Sequence, residues 1–309
     1  MIHDDIVPAG RQLDSGPQGL VPAFFLDAGE QSWRRFVEFF TAYIRCRNTR
    51  LAYGRAVRRF ATWCEGQKVR LDQLSPFIVA AYIEQLGTEV SVPTTKQHLA
   101  AIRMLLDYLV TGQVVPMNPA AAVRGPRYSV KKGKTLVLDA DQARVLLDSI
   151  ATQSISGLRD RALIGAMLFS FARISAVINM AVEDFYSDGR RWWLRLHEKG
   201  GKLHEVPVHH KLDEYMDEYL AAAGIGNDAK APLFRSLNRR RLLTAKRISR
   251  REALAMVKRR ARDAGLPPGV CCHSFRATGI TAYLNNGGTL ENDRPYYLLG
   301  WNLFGLVAT

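Results

Sequence analysis

The chain has 309 residues, with 43 lysines and arginines against 29 acidic residues and a formal net charge of +14. That length suggests roughly two domains of ordinary size, and a composition that is 47% hydrophobic can fill a core in each, which excludes a disordered basic tail. The positive balance points to a polyanionic partner, most simply nucleic acid, and no apolar run approaches the ~20 residues that would span a membrane.

Residues 1–28 mix Gly, Pro and Asp without a sustained period and read as a loose arm. Its apolar stretch, residues 20–26, is short, holds Pro22 and lacks a basic leader, so no signal peptide is expected. A helical domain is expected over 29–115. From about Ser32, Phe36, Phe39, Phe40 and Tyr43 recur at three- and four-residue steps. A second helix over about 49–64 turns Val57, Phe60, Ala61 and Cys64 inward. Ser75-Pro76 is a helix start, a hydroxyl cap followed by a proline whose missing N–H costs nothing there. A fourth helix starts near Thr94-Thr95 and carries an apolar stripe of Leu99, Ile102, Leu106 and Leu109, with Lys96 and Arg103 on another face.

Residues 116–135, with Pro119, Gly125, Pro126 and the run Lys131-Lys132-Gly133-Lys134, read as an interdomain linker. The second domain is expected over 136–309. Asp139 and Gln142 make a capping box, and helices follow at about 140–152 and 158–170. Residues 191–197 and 205–208 alternate with period two around Lys199-Gly200-Gly201-Lys202, a β-hairpin pattern. Asp188-Gly189 is a turn that brings in a third strand, and beyond Lys211 the chain reads as helical again. Residues 235–262 hold twelve lysines and arginines against one acid, Glu252, a density that marks a binding surface.

Three islands in the second domain carry the chemistry. They are Phe171-Ala172-Arg173-Ile174-Ser175, the turn Lys199-Gly200-Gly201-Lys202, and His273-Ser274-Phe275-Arg276-Ala277-Thr278 followed by Thr281-Ala282-Tyr283-Leu284-Asn285-Asn286-Gly287-Gly288. In order, spacing and surrounding pattern they resemble the tyrosine recombinase (phage integrase) family over about residues 30–292. The resemblance implies a mainly α fold with a small antiparallel sheet. A helical core-binding (SAM-like) domain would precede a mixed α+β catalytic domain, the two gripping duplex DNA. It also implies strand cleavage and rejoining through a 3′-phosphotyrosyl intermediate, with no cofactor.

The residue types suit that chemistry. The phosphoryl-transfer transition state spreads charge over non-bridging oxygens, and guanidinium groups match them bidentately without ever deprotonating. The resemblance assigns that role to Arg173 and Arg276. It makes Lys202 the general acid for the departing 5′ oxygen, with Lys199 beside it on phosphate, and His273 a donor to the phosphate or a proton shuttle. Taken singly, Arg173 would more often pair with an acid, Lys202 would be an ordinary turn lysine, and His273 a satisfied buried histidine. Cys271-Cys272-His273 lacks the gap of zinc knuckles and no second Cys pair exists, so no metal is expected. The four cysteines read as reduced thiols of a cytosolic protein, and His209-His210 as a surface pair.

The pattern departs from the family in two places. The position after Arg173-Ile174-Ser175 is commonly acidic in the family and is Ala176 here. The family's nucleophilic tyrosine follows a turn that Leu299-Gly300-Trp301 matches weakly, with Trp301 in the place of the second histidine or tryptophan. No tyrosine stands at 308–309, and Tyr296 and Tyr297 precede the turn. After Asn292 the helical logic is lost, as a frameshifted or truncated gene end would lose it. Cleavage deficiency is therefore expected, with an inactive DNA-binding regulator or a degenerate integrase remnant as the alternative.

The resemblance also places Arg50, Arg55, Lys96 and Arg103 of the first domain, and Arg247, Arg250 and Arg251 of the second, against the DNA. Most such contacts position rather than specify. It implies a nucleoid-associated protein of the cytoplasm that forms a homotetramer on an attachment site. The altered tail weakens the basis for that tetramer, because in the family the C-terminal segment docks on a neighbouring protomer.

Overall fold

Aromatic rings build the first core. Phe24, Phe25, Phe36, Phe39, Phe40 and Phe60 are all buried, and successive pairs lie edge-on or tilted at 4.7–6.2 Å, the spacing that ring quadrupoles favour. The structure, a computed structural model, describes residues 19–129, 133, 135–198 and 201–287. The chain divides into two units, residues 1–131 and 132–309.

The first unit is all helical: α1 (Ala23–Leu26), α2 (Glu30–Glu38), α3 (Arg47–Gly66), α4 (Pro76–Glu89) and α5 (Val92–Thr111). Ser75 caps α4 by accepting from the Ile78 N–H, ahead of Pro76 at the first turn, a cap worth about 1 kcal/mol. Val57, Phe60, Ala61 and Cys64 of α3 meet Leu99, Ile102, Leu106 and Leu109 of α5 in one core. Three expectations change here. The expected arm does not extend to residue 28, because Val21, Phe24 and Phe25 are core residues, and its first 18 residues lie outside the described ones. Tyr43 faces outward, since α2 continues into a π-helical turn over Phe39–Tyr43 that rotates it out of the apolar stripe. Its ring stacks instead beside Phe39 and Tyr108. The stretch from Pro116 begins as part of this unit: Ala120 and Val123 are buried, and Asn118 donates to the Arg103 carbonyl at 3.0 Å.

In the second unit Asp139 and Gln142 close the predicted capping box on α6 (Ala140–Asp148). The long α7 (Ile155–Ser170) runs through the core and is followed by the short α8 (Ile174–Asn179). Strands β1 (Phe185–Asp188), β2 (Arg191–His197) and β3 (Leu203–Pro207) form an antiparallel sheet in that order. Its register pairs Asp188 with Arg191 and His197 with Leu203. Helix α9 (His210–Ala223) packs on α7. The chain is not purely helical beyond Lys211, because β4 (Arg235–Leu237) and β5 (Leu243–Arg247) form a second hairpin. It is short and arginine-rich, without the alternation that marks a strand in sequence. Helices α10 (Arg250–Asp263) and α11 (Cys272–Asn285) complete the described unit. His209 is no surface residue: its ring stacks on Phe169 at 4.6 Å, and its Nδ1 caps α9 by accepting from the Lys211 N–H.

Candidate functional site in the second unit

Arg173 sits where α7 hands over to α8, as the residue that starts α8. Its side chain is 44% exposed, so a ligand can reach it, and it forms an ion pair with Glu198. Glu198 is the last described residue before the turn between β2 and β3. Its own N–H donates to the Lys202 carbonyl at 2.8 Å, and Gly201 takes the left-handed conformation that lets the chain reverse (φ +78°). The hairpin thus carries the partner of Arg173 and the base of the lysine turn on the same residue. Lys202 is exposed; Lys199 and Trp301 lie outside the described residues. Ala176 is buried at 2% exposure, and the acidic partner of Arg173 is Glu198 of the hairpin.

Arg276 and His273 lie on the first turns of α11. The helix is started by Cys271, whose N–H donates to the Ser274 hydroxyl at 3.1 Å, and it is pinned further along by Thr278, which accepts from the Leu138 N–H at 2.8 Å. His273 is exposed, and Phe275 beside it is fully buried. The Arg276 Nη1 donates to the Phe171 carbonyl at 2.6 Å, two residues before Arg173. Islands 103 residues apart in sequence therefore meet at one backbone segment.

Phe171 makes that meeting possible. It ends α7 in the left-handed region, φ +53° and ψ +16°, a conformation that costs a bulky residue on the order of 1–3 kcal/mol. Burial of its ring to 8% exposure returns about the same amount. The ring lies on α11 at Gly279, where a Cβ would come within 1.8 Å of the Phe171 Cδ1. A glycine in a helix interior costs about 1 kcal/mol against alanine, and here it leaves the space the ring fills. Sequence reasoning passed over both residues. A glycine in mid-helix, about two turns from either end of α11, was the available signal.

The basic cluster divides into inward and outward groups. Asp160 of α7 is fully buried; its Oδ1 accepts from Arg159 at 2.6 Å, and its Oδ2 accepts from Arg259 at 3.1 Å and from Arg260 at 2.9 Å. Arg159 also donates to the Arg235 carbonyl at 2.9 Å. Arg247, expected on DNA, turns inward to the carbonyls of Ile178 at 2.8 Å and Met180 at 3.4 Å. The outward group is Arg239, Arg240, Arg241, Lys246, Arg250, Arg251, Lys258 and Arg262. Glu252, the lone acid of the run, closes a capping box with Ser249. In the first unit Arg50 donates to the Ile44 carbonyl. Arg103 donates to the Ala120 carbonyl at 3.0 Å and to that of Val123. Arg55 and Lys96 are exposed. Arg50, Arg103 and Arg247, grouped with the DNA contacts by sequence, are thus engaged with backbone carbonyls of their own units.

The second unit matches the profile of the phage integrase family over residues 136–294, and the first matches that of the phage integrase N-terminal SAM-like domain over residues 36–113. The chain belongs to the phage integrase family of tyrosine recombinases. Among its relatives, tyrosine recombinase XerC of Pelobacter propionicus is 30% identical over 247 residues, covering 79% of this chain and 78% of the relative. Tyrosine recombinase XerD of Chlorobaculum tepidum is 24% identical, covering 85% and 87%. Among solved structures, the fold resembles XerH recombinase in a post-cleavage complex with a palindromic difH substrate (TM-score 0.64, 17% identity, 77% of this chain and 69% of that one). It also resembles a lambda integrase dimer bound to a COC′ core site (TM-score 0.61, 16% identity, 82% and 89%). Family membership accounts for the helical first unit followed by a mixed unit with a small antiparallel sheet. Among the described residues no helix is long and apolar enough to cross a membrane.

Proposed function

We propose that this chain is a DNA-binding recombinase-type protein that engages the phosphodiester of a duplex attachment site and does not cleave it. The observation that carries the reading is the bond from Arg276 to the Phe171 carbonyl, which brings the two arginine islands to one segment. Arg173 and Arg276 hold the non-bridging oxygens, His273 donates to the same phosphate, and Lys202, with Lys199 beside it, is the general acid that a departing 5′ oxygen would need if cleavage occurred. The cleaving step needs a tyrosine oxygen to attack phosphorus as the 5′ oxygen leaves. Tyr296 and Tyr297, the tyrosines nearest to Leu299-Gly300-Trp301, both precede it, and the reading of cleavage deficiency rests on that departure from the family order.

Arg55 and Lys96 of the first unit and Arg250 and Arg251 of the second meet the phosphate backbone. The last two occupy the first turn of α10, where cations oppose the helix dipole. That cost favours an anion arriving there. The protein acts with the chromosome in the cytoplasm. Solved relatives include a lambda integrase tetramer bound to a Holliday junction, and a homotetramer on the attachment site is the corresponding assembly for this chain.

The test is direct. The protein selects duplexes from a random pool at low salt, and the selected duplex is then nicked to trap a covalent intermediate. Binding without a 3′-phosphotyrosyl adduct is expected. An adduct that disappears in Tyr296→Phe or Tyr297→Phe would show that one of those residues is the nucleophile. Failure to bind any duplex would remove the reading altogether.

A further inference from the structure

We infer that Phe171 is a positioning residue. Lodged over Gly279, it fixes the separation of Arg173 and Arg276 and so sets how both guanidiniums meet one phosphate. The inference rests on the reading of those two arginines as the phosphate-holding pair.

Phe171 touches α11 twice. Its ring fills the notch at Gly279, and its carbonyl accepts from Arg276. Positions 276 and 279 are three apart and share a helix face, so ring and carbonyl grip the same side of α11. The grip is short on the other side too, because only Ala172 lies between Phe171 and Arg173. Ala172 is itself buried at 3% exposure, and the Arg173 carbonyl is held by the N–H groups of Ala176 at 2.8 Å and Val177 at 3.3 Å. The segment that carries Arg173 cannot slide along α11 without moving the ring out of its notch. The left-handed backbone at Phe171 belongs to the same device: it bends the chain back so that the carbonyl faces Arg276 while the ring faces Gly279. An ordinary core aromatic needs neither the positive φ nor a glycine beneath it. Positioned guanidiniums matter because an electrostatic clamp acts through preorganisation, and a small misplacement at such a site costs a large part of its effect.

The experiment reads binding, so it does not require cleavage. A duplex selected by the wild-type protein is prepared with a single methylphosphonate, in which a methyl group replaces one non-bridging oxygen and the linkage is neutral, placed at each linkage in turn. For the wild type, affinity is expected to fall by about tenfold at one linkage through loss of the charged oxygen held by the pair, and R173A and R276A should each flatten that minimum. Gly279→Ala, whose methyl would collide with the ring, and Phe171→Gly, which keeps the backbone conformation but removes the ring, should reduce the drop to below about threefold. Affinity for the unmodified duplex should stay within about threefold, because the remaining phosphate contacts carry it. The double exchange F171G/G279F returns one ring to the same gap from the opposite element and should restore the minimum.

A full-sized minimum in both single variants overturns the positioning role. So does a folded double exchange whose profile stays flat. If one single variant does not fold, as judged by its circular dichroism melt, the other single variant and the exchange still decide. If instead R173A and R276A leave the wild-type minimum unchanged, the phosphate reading of the arginines fails, and that result is distinct from failure of the interlock.

Discussion

Arg173 and Glu198 are ion-paired between the start of α8 and the end of β2, so the guanidinium proposed for a phosphate is already held by a carboxylate. A phosphate must share Arg173 with that negative charge. Glu198→Gln keeps a hydrogen-bond acceptor and removes the charge. It should raise affinity for a short random-sequence duplex by about two- to fivefold at low salt, the size of a partly exposed ion-pair effect. The gain should shrink as salt rises. Fluorescence anisotropy titrations at several salt concentrations check this; unchanged or weaker binding would assign Glu198 a purely supporting role.

The arginines of the first unit should separate by experiment. Arg103→Ala removes the side-chain donor to the Ala120 and Val123 carbonyls, leaving Ala120 only the Val123 N–H, and should lower stability by about 1–2 kcal/mol. Lys96→Ala and Arg55→Ala remove exposed cations and should leave the denaturation midpoint unchanged, while each lowers the slope of log K against log salt by about one. Urea unfolding and salt-dependent binding measured on the same three variants test the division.

Asp160→Asn should be among the most damaging single changes in the second unit. It leaves Arg159, Arg259 and Arg260 around a neutral side chain that accepts at only one oxygen, and removing one partner from a buried charged network costs about 3–5 kcal/mol. A urea midpoint within experimental error of the wild type would show that the network contributes no net stability.

Stability should fall between pH 6.5 and 4 through His209. Burial first, then the neighbouring His210 and Lys211, pushes its pKa down from 6.5 to about 4, with Glu214 acting weakly the other way. The unfolded chain therefore binds a proton at a higher pH than the folded one. The contribution is fully present above the unfolded value and is lost as pH drops towards the folded value, on the order of 2–3 kcal/mol in all. His209→Asn can still cap α9 and does not titrate, so its stability should vary less over that range. Equal pH profiles for the two proteins would place the titration elsewhere.

The parts of this protein that could be read from sequence are those whose cause is local. Ser75 before Pro76, Asp139 with Gln142, and the alternation of β2 with β3 each determine their own neighbourhood, and the structure has them in place. The three islands could be read because their residue types and order form one pattern. What could not be read depends on partners distant in the chain. Nothing near Arg103 or Arg247 distinguishes a phosphate contact from a clasp on a carbonyl; that is decided 17 residues away for Arg103 and 69 for Arg247. The β4–β5 hairpin escaped because its sequence satisfies a binding surface before it satisfies a strand. Phe171 reads as core and Gly279 as a flaw in a helix until the two are seen to occupy one space.

The ring of arginines about Asp160 has a consequence for anyone building chimaeras. Asp160 stands on α7 and Phe171 caps the C-terminal end of that helix, about 16 Å away at 1.5 Å per residue. One end anchors the helix that displays Arg250 and Arg251, and the other seats the arginine pair. Transplanting α10 to change what DNA the protein prefers therefore requires carrying α7 along as a matched component. A graft that brings new arginines without their carboxylate would leave the receiving helix unanchored at the end opposite the chemistry.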